Sequence, residues 1–253
     1  MTYTLDQIWR YPIKGIGAER LRAIDLAPGL PLPLDRAWAV LEDGGDASDG
    51  WRSCRNFLRG AKGPSLMAVT CRVDGDVIHL SHPDRDDISV TPGGDMGAFF
   101  DWLTPIYPEN RPKPVALVAS PPEGMSDAPF ASISILNPSS LRALGQKLGQ
   151  ELDVRRFRGN LWIDGLAPWE EFDLVGKTLA IRSPRSSSEA VAHLEVVERI
   201  TRCRATEANP ATGKRDANTL RALEDGWGHQ DFGVYAMVRQ GGQIKAGDTV
   251  TVQ

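Results

Sequence analysis

Short apolar runs punctuated by glycine and proline constrain this chain more than any other feature of its sequence. The 25 Gly and 18 Pro among 253 residues work against long helices, because Pro lacks the N–H that continues a helix and Gly adds backbone entropy. Strands of a few residues joined by tight turns suit the same pattern. The runs predict strands at 4–10, 21–26, 37–41, 66–73 and 77–81, with a further short one at 88–90. Asp74-Gly75, between 66–73 and 77–81, is a hairpin signal of the type I′ kind. Later strands are expected at 115–119, 132–136, 160–163, 178–181, 194–200, 232–239 and 248–252, with Gly241-Gly242 marking a turn. The fold class that follows is mainly β with a few helices, α+β.

Two helices are expected. One at 95–103 stops before Thr104-Pro105, since the residue before proline avoids the helical region. The other opens at Asn137-Pro138, a capping residue followed by proline at the first helical position, and stops at Gly149. Its Leu141, Leu144 and Leu148 share one face. Prolines then stand out between 105 and 129: Pro105, Pro108, Pro112, Pro114, Pro121, Pro122 and Pro129. This passage is read as the connection between two subdomains, 1–118 and 119–253. The polar stretch 183–188, Ser-Pro-Arg-Ser-Ser-Ser, reads as a surface loop.

A formal charge of -4 supplies no field that would hold a nucleic acid or an anionic membrane, so basic residues can bind an anion only locally. No run reaches the length of a membrane span, and the first residues lack the basic start and apolar core of a secretory signal. The three cysteines form neither a disulfide framework nor a C-x-x-C pair, which fits a reducing compartment, and the expected location is cytoplasmic. The four histidines make no zinc-binding pattern, and no G-x-G-x-x-G, phosphate-binding P-loop or G-x-S-x-G motif occurs.

Several residues carry chemistry without a motif of that kind. Cys203 stands between Arg202 and Arg204 where an alternating strand runs into the turn-forming Asn209-Pro210 and Thr212-Gly213. Flanking cations favour a thiolate, but only if the strand ends or bulges here, since in a regular strand the arginines point away from the thiol. The other reading of Cys203 is a small buried hydrophobe. Lys14, in Tyr11-Pro12-Ile13-Lys14-Gly15, is either a phosphate-binding ammonium beside a free backbone N–H or a solvated turn lysine. Arg36 is either a second cation at a strand mouth or a surface partner of Asp35 or Asp25. Trp51-Arg-Ser-Cys-Arg-Asn-Phe-Leu-Arg59 lines a pocket for a planar ligand or is a surface loop, and its Cys54 has no partner at metal-ligand spacing. Cys71 lies in an alternating strand and is expected to be buried. In Arg155-Arg-Phe-Arg-Gly-Asn160, alternation places Arg158 and Asn160 on one face, able to offer a guanidinium fork and an amide to one ligand; an arginine-rich edge that discourages sheet pairing is the alternative. Ser126-Asp127 reads equally as a cap or a turn.

Taken in order, these pieces resemble a MOSC-domain protein preceded by a MOSC N-terminal β-barrel. The resemblance rests on Tyr11-Pro12-Ile13-Lys14, Asp35-Arg36-Ala37-Trp38, Ser126-Asp127, Phe157-Arg158-Gly159-Asn160, Ile163-Asp164-Gly165, Trp169-Glu170-Glu171, Arg202-Cys203, Asn209-Pro210-Ala211-Thr212-Gly213, Phe232-Gly233-Val234-Tyr235 and Gly242-Gln243-Ile244 with Gly247-Asp248. It covers nearly the whole chain and implies two β-barrel-like subdomains, the N-terminal barrel followed by the MOSC barrel, with a cofactor in the cleft between them.

The similarity to the mitochondrial amidoxime-reducing component and its bacterial relatives implies a molybdenum cofactor (Mo-molybdopterin) with Cys203 as the protein ligand to molybdenum, a soft donor for a metal already held by sulfur. It implies that Lys14, Gly15, Arg36, Ser126, Arg158, Asn160 and Arg202 line the pterin site, and that Asp127 is a polar or proton-handling residue near the metal. The implied activity is an oxidoreductase reducing small N-hydroxylated substrates. The chain holds no cysteines for an iron–sulfur module, so electrons are expected from a separate redox protein. The alternatives within the family are a sulfur carrier or sulfurtransferase using a Cys203 persulfide, and a non-catalytic molybdenum cofactor-binding protein. Two departures stand out: Gly15 replaces a frequent serine, and Thr201 replaces the first cysteine of a Cys-x-Arg-Cys pattern.

Overall fold

The computed structural model describes residues 2–183 and 191–253, so most of the loop expected at 183–188 lies outside the described residues. The elements are β1 (Thr2–Arg10), β2 (Glu19–Leu21), β3 (Ala23–Leu26), β4 (Trp38–Glu42), β5 (Thr70–Asp74), β6 (Val77–His82), β7 (Arg85–Val90) and α1 (Gly97–Leu103). They continue with β8 (Pro114–Ala119), β9 (Ile133–Leu136), α2 (Pro138–Leu148), β10 (Leu161–Asp164), β11 (Thr178–Arg182) and β12 (Ala192–Thr201). Helix α3 (Thr219–Trp227), β13 (Asp231–Gln240), β14 (Gly242–Lys245) and β15 (Thr249–Val252) complete the chain. Among the described residues no helix is long and apolar enough to cross a membrane.

Strands β10, β9, β13, β12, β11, β15 and β1 are hydrogen-bonded in that order, and β1 pairs again with β10, closing the sheet into a barrel. Closure removes the sheet edges that would otherwise invite pairing with other chains. Strand β1 achieves it by dividing its length: Thr2 opposes Thr251 of β15, Leu5 opposes Ile163 of β10, and Ile8 also meets Leu21 of β2. Inward positions alternate along each strand, so Leu5, Ile135, Ile163, Leu179, Leu194, Val234 and Val250 fill the interior, each no more than 1% exposed. Strand β12 buries Ala192, Leu194 and Val196, slips register between Val196 and Glu198, and resumes with Ile200. Such a bulge bends the strand and re-aims the residues after it.

A second core gathers Ile13, Val40, Leu58, Ile78, Leu80, Phe99 and Trp102 between the β5–β6–β7 meander, the β4–β8 ribbon and α1. A third, with Leu144, Phe157, Trp162, Leu223 and Phe232, seats α2 and α3 against the barrel wall. Strands from before residue 118 join strands from after it, β1 with β10 and β15 and β3 with β14. The proposed segments 1–118 and 119–253 are thus divisions of sequence from which the barrel draws on both sides.

Helix α2 forms where the caps place it: Asn137 Oδ1 accepts from Ser139 N at 2.8 Å, Pro138 follows, and Gly149 ends it in the left-handed region at φ 69°. Four local expectations are corrected. The run 21–26 breaks at Arg22, so β2 reaches β1 while β3 reaches β14. The run 66–73 begins as the 3-10 turn Pro64–Ala68, because Pro64 starts a helical turn and its ring precludes a ladder bond. The β5–β6 loop is centred on Gly75-Asp76, with positive φ at Gly75 alone, the type II′ arrangement. Helix α3 goes unpredicted because it is short, carries Gly226 inside, and gains its stability from packing Ala222 and Leu223.

Candidate functional site

Strand β12 ends at Thr201, and the chain turns through Cys203 into the 3-10 turn Arg204–Glu207. Ending the strand there satisfies the condition the sequence set, and Cys203 is exposed rather than packed inside. Its thiol opens into a cleft that also receives Lys14, Gly15, Arg36, Asp127, Arg158 and Arg202. Further lining comes from Cys54, Arg59, Arg156, Phe157 and Tyr235. Seven separate stretches of chain therefore meet at one place.

Local backbone geometry aims the cations. Arg36 and Arg158 are non-glycine residues at φ 49° and 47°, a conformation that persists only where surrounding contacts over-determine it. Here both guanidiniums sit on the ring of fully buried Tyr11, at 5.1 and 4.3 Å from its centroid. Arg36 also pairs with Asp35 and donates from Nη2 to the Arg158 carbonyl at 2.8 Å. Arg158 donates to the carbonyls of Gly17 at 3.0 Å, Ile13 at 3.3 Å and Ile16 at 3.4 Å. Arg202 lies against Phe157 and Phe232 and donates to their carbonyls, with Nε 2.7 Å from Phe232 O. Arg156 is 2% exposed, bonds to Asp216 and to the carbonyls of Thr206 and Glu207, and leaves its Nε unpaired.

Charge balance distinguishes these cations. Lys14 and Arg36 have carboxylate partners in Asp127 and Asp35. The guanidiniums of Arg158 and Arg202 are satisfied by backbone carbonyls, which accept hydrogen bonds without cancelling a full charge. Burial pushes Arg158 down to about 10, helped by neighbouring Arg36, and burial likewise pushes Arg202 down to about 10. Both stay charged at neutral pH, so the cleft holds desolvated positive charge that a bound anion would relieve.

Asp127 and Cys203 respond to this setting in opposite directions. The Asp127 side chain keeps 61% of its surface open to the cleft while protein surrounds the cleft itself. That crowding raises its pKa, but the Lys14 ammonium, by charge and hydrogen bond, together with Arg36 and Arg202, outweighs it and holds the carboxyl below the usual carboxylate value. The protein surrounding the cleft raises the Cys203 thiol although the residue itself is exposed, and Asp127 and Cys54 add to the rise. The expectation of a thiolate between two arginines is therefore corrected: Arg202 points to carbonyls, and Arg204 is turned to Glu207 at 2.9 Å. Tyr235 is pushed up to about 12 by burial and by Asp127, so it presents a neutral hydroxyl to the cleft.

Two predicted residues do not reach the cleft. Asn160 is 1% exposed, accepts from Ser134 N and Oγ at 3.0 and 2.7 Å, and donates to Trp9 O at 3.2 Å, tying β1, β9 and the start of β10 together. It does not share a face with Arg158, whose left-handed backbone turns it toward Tyr11. The Ser126 hydroxyl is taken up by Ala128 and Ser132 within its own turn. Of the two readings of Trp51–Arg59, pocket lining or surface loop, Cys54 and Arg59 follow the first, whereas Arg156 and Tyr235 reach the cleft without having been assigned a role. Cys54 and Arg59 reach the cleft because Gly15, at φ 75°, lets the backbone of 58–59 approach: a Cβ there would lie 2.9 Å from Leu58 O and 3.0 Å from Arg59 Cα. Cys71, expected to be buried, is half-buried in β5, and desolvation pushes its thiol up to about 12.

Comparison with known proteins adds the following. Residues 2–95 match the family described as the MOSC N-terminal beta barrel domain, and residues 123–251 match the MOSC domain. Proteins described as molybdenum cofactor sulfurase from Caenorhabditis briggsae and Caenorhabditis elegans are 30% and 31% identical over 135 and 115 residues. Those stretches are 50% and 44% of this chain but 17% and 14% of the relatives, so the chain spans under a fifth of either one. The crystal structure of the YuaD protein from Bacillus subtilis aligns over 100% of this chain and 96% of its own, at 13% identity and a TM-score of 0.49.

Proposed function

Because this chain belongs to the MOSC family, with a MOSC N-terminal β-barrel domain ahead of the MOSC domain, we propose that its cleft binds a molybdenum cofactor and that Cys203 is the protein's sulfur ligand to the metal. The observation that carries the reading is that one cleft receives an exposed thiol together with Arg158 and Arg202, half-buried cations whose partners are carbonyls. A cofactor ending in phosphate supplies the missing negative charge, and a metal already held by dithiolene sulfurs needs few donors from the protein. Among the described residues no group of three or more His, Cys, Asp or Glu is arranged to hold a metal ion by itself, which suits a metal that arrives with its own ligands.

In this reading Arg36, Arg158 and Arg202 orient the pterin and its phosphate, with the Tyr11 ring fixing the first two. Lys14 acts through Asp127, holding that carboxylate ionised at the cleft. The bound group would supply two-electron chemistry at an N–O bond, with electrons from a separate redox protein and a small N-hydroxylated compound as substrate. Asp127 keeps a charged, solvent-reachable carboxylate beside the thiol, and Tyr235 a neutral hydroxyl that can donate a hydrogen bond. Protein made in a host that synthesises the cofactor should contain near-stoichiometric molybdenum and pterin. Absence of both would remove the proposal.

The likeness to proteins described as molybdenum cofactor sulfurase favours a second reading, in which Cys203 carries a persulfide as a sulfur carrier or transferase. Cyanide-labile sulfur on the purified chain, without molybdenum, would select it. Molybdenum without turnover on any N-hydroxylated compound or electron donor would select a binding protein that does no chemistry. A cytoplasmic location belongs to the same proposal.

A further inference from the structure

Basic residues are spread unevenly along this chain. Residues 51–71 and 202–215 together hold eight of its 29 basic residues and one of its 33 acidic ones, although the net charge is -4. The fold joins these two stretches in a seam beside Cys203. Arg215 Nη2 donates to Ala61 O at 2.8 Å. A Cβ on Gly213 would lie 2.6 Å from Ser65 Cα, and one on Gly60 would lie 3.4 Å from Ala205 Cβ. Gly60, Ala61, Cys203 and Ala205 all line the cleft, so the seam runs along its mouth. On it stand Lys62, which is half-buried, and Arg204, Lys214 and Arg215, which are exposed. Arg204 and Arg215 share the carboxylate of Glu207, at 2.9 and 3.3 Å, and that side chain is only 9% exposed. Asp216 is taken up by Arg156 and Asn209. Among the described residues Lys62 and Lys214 make no ion pair. The seam therefore carries surplus positive charge at the surface, where it attracts a partner more than it holds the fold together.

We propose that this seam is the docking surface for an acidic protein, which, resting on the reading above, is the redox protein that delivers electrons to the cleft. Charge and position select that occupant. The positive surplus is confined to the seam while the rest of the chain is acidic, so an extended polyanion such as DNA or a membrane surface meets repulsion beyond it. A compact protein with a local acidic patch meets the seam alone, and its approach is steered to the mouth where the Cys203 thiol opens. Arg158 and Arg202, bonded to carbonyls inside the cleft, remain for the cleft's own ligand.

The test mixes the full chain at low ionic strength with an acidic plant-type [2Fe–2S] ferredoxin as probe. A carbodiimide then joins carboxylates to the lysines they touch. Peptide mapping should place the links at Lys62 and Lys214, and not at the exposed Lys113, Lys147, Lys177 or Lys245. Binding should weaken as salt rises. The Lys62→Glu/Lys214→Glu chain should bind about tenfold more weakly than wild type, and the Lys113→Glu/Lys177→Glu chain as wild type does. Links spread over all exposed lysines, equal losses in the two double variants, or no association would each overturn the proposal. So would a DNA duplex or vesicles of anionic lipid that bind the wild-type chain more tightly than the ferredoxin does. Failure of the cofactor reading would show as absent molybdenum and leave the pattern of links unchanged.

Discussion

Lys14 Nζ and Asp127 Oδ1 lie 2.7 Å apart although 113 residues separate them, and this contact joins the turn after β1 to the segment leading into β9. The ammonium also donates to Met125 O at 2.7 Å and is 5% exposed, so its charge is committed to this corner. The carboxylate is the open half of the pair. Its pKa is depressed in the folded chain, so the contact stabilises the protein above the ordinary carboxylate pKa and is lost as pH falls through the lower folded value.

Asp127→Asn should therefore melt at a lower temperature than wild type at neutral pH and converge with it in strong acid. Solvent at the carboxylate screens the pair, which limits the ion-pair contribution to about 1 kcal/mol. Losing the partner of a nearly buried ammonium brings the total to roughly 1–2 kcal/mol. Thermal unfolding of both proteins from neutral pH to below pH 3 checks the sign. A difference that grows on acidification would contradict it.

Asn160→Ala separates a structural amide from a ligand contact. The side chain serves Ser134 and Trp9 inside the barrel wall, and removing it strands buried donors and acceptors. A loss of about 2–4 kcal/mol is expected, of equal size in metal-free and metal-containing protein. A variant with wild-type stability that fails only to retain the cofactor would place Asn160 at the ligand instead.

Cys203→Ala should behave in the opposite way. The residue is exposed, so stability should change by no more than about 0.5 kcal/mol, while molybdenum should fall to background. Wild-type molybdenum content in a folded Cys203→Ala chain would withdraw the ligand assignment.

Most of the barrel was legible because its strands alternate cleanly between inside and outside, and because Asn137-Pro138 and Gly149 punctuate α2 in the usual way. Lys14, Arg36, Asp127, Arg158, Arg202 and Cys203 could be named from the family pattern, and the fold gathers them at one cleft. What sequence could not reveal is direction. Arg158 and Asn160 stand two residues apart, yet a left-handed φ at Arg158 sends one side chain to Tyr11 and leaves the other in the barrel wall. Cys54 was illegible for another reason. A cysteine without a spaced partner carries no local signal, and the cleft it lines is completed by residues from the far end of the chain.

Gly15→Ser tests how closely that hidden wall depends on one glycine. Serine is what the family resemblance leads one to expect at this place, and on chemical grounds it should add a hydroxyl to the cleft. The backbone argues against a simple gain, since φ is 75° and a Cβ would meet Leu58 O at 2.9 Å and Arg59 Cα at 3.0 Å. Backbone atoms cannot step aside as a flexible side-chain tip would, so the 58–59 segment must move or the turn must strain. The substitution should cost about 1–3 kcal/mol and displace Arg59 from Cys54. Cys54 would then change its reactivity toward an alkylating reagent while Cys71 would not. Unchanged melting and unchanged Cys54 labelling in Gly15→Ser would mean that the close approach of residues 58–59 does not govern the position of Cys54.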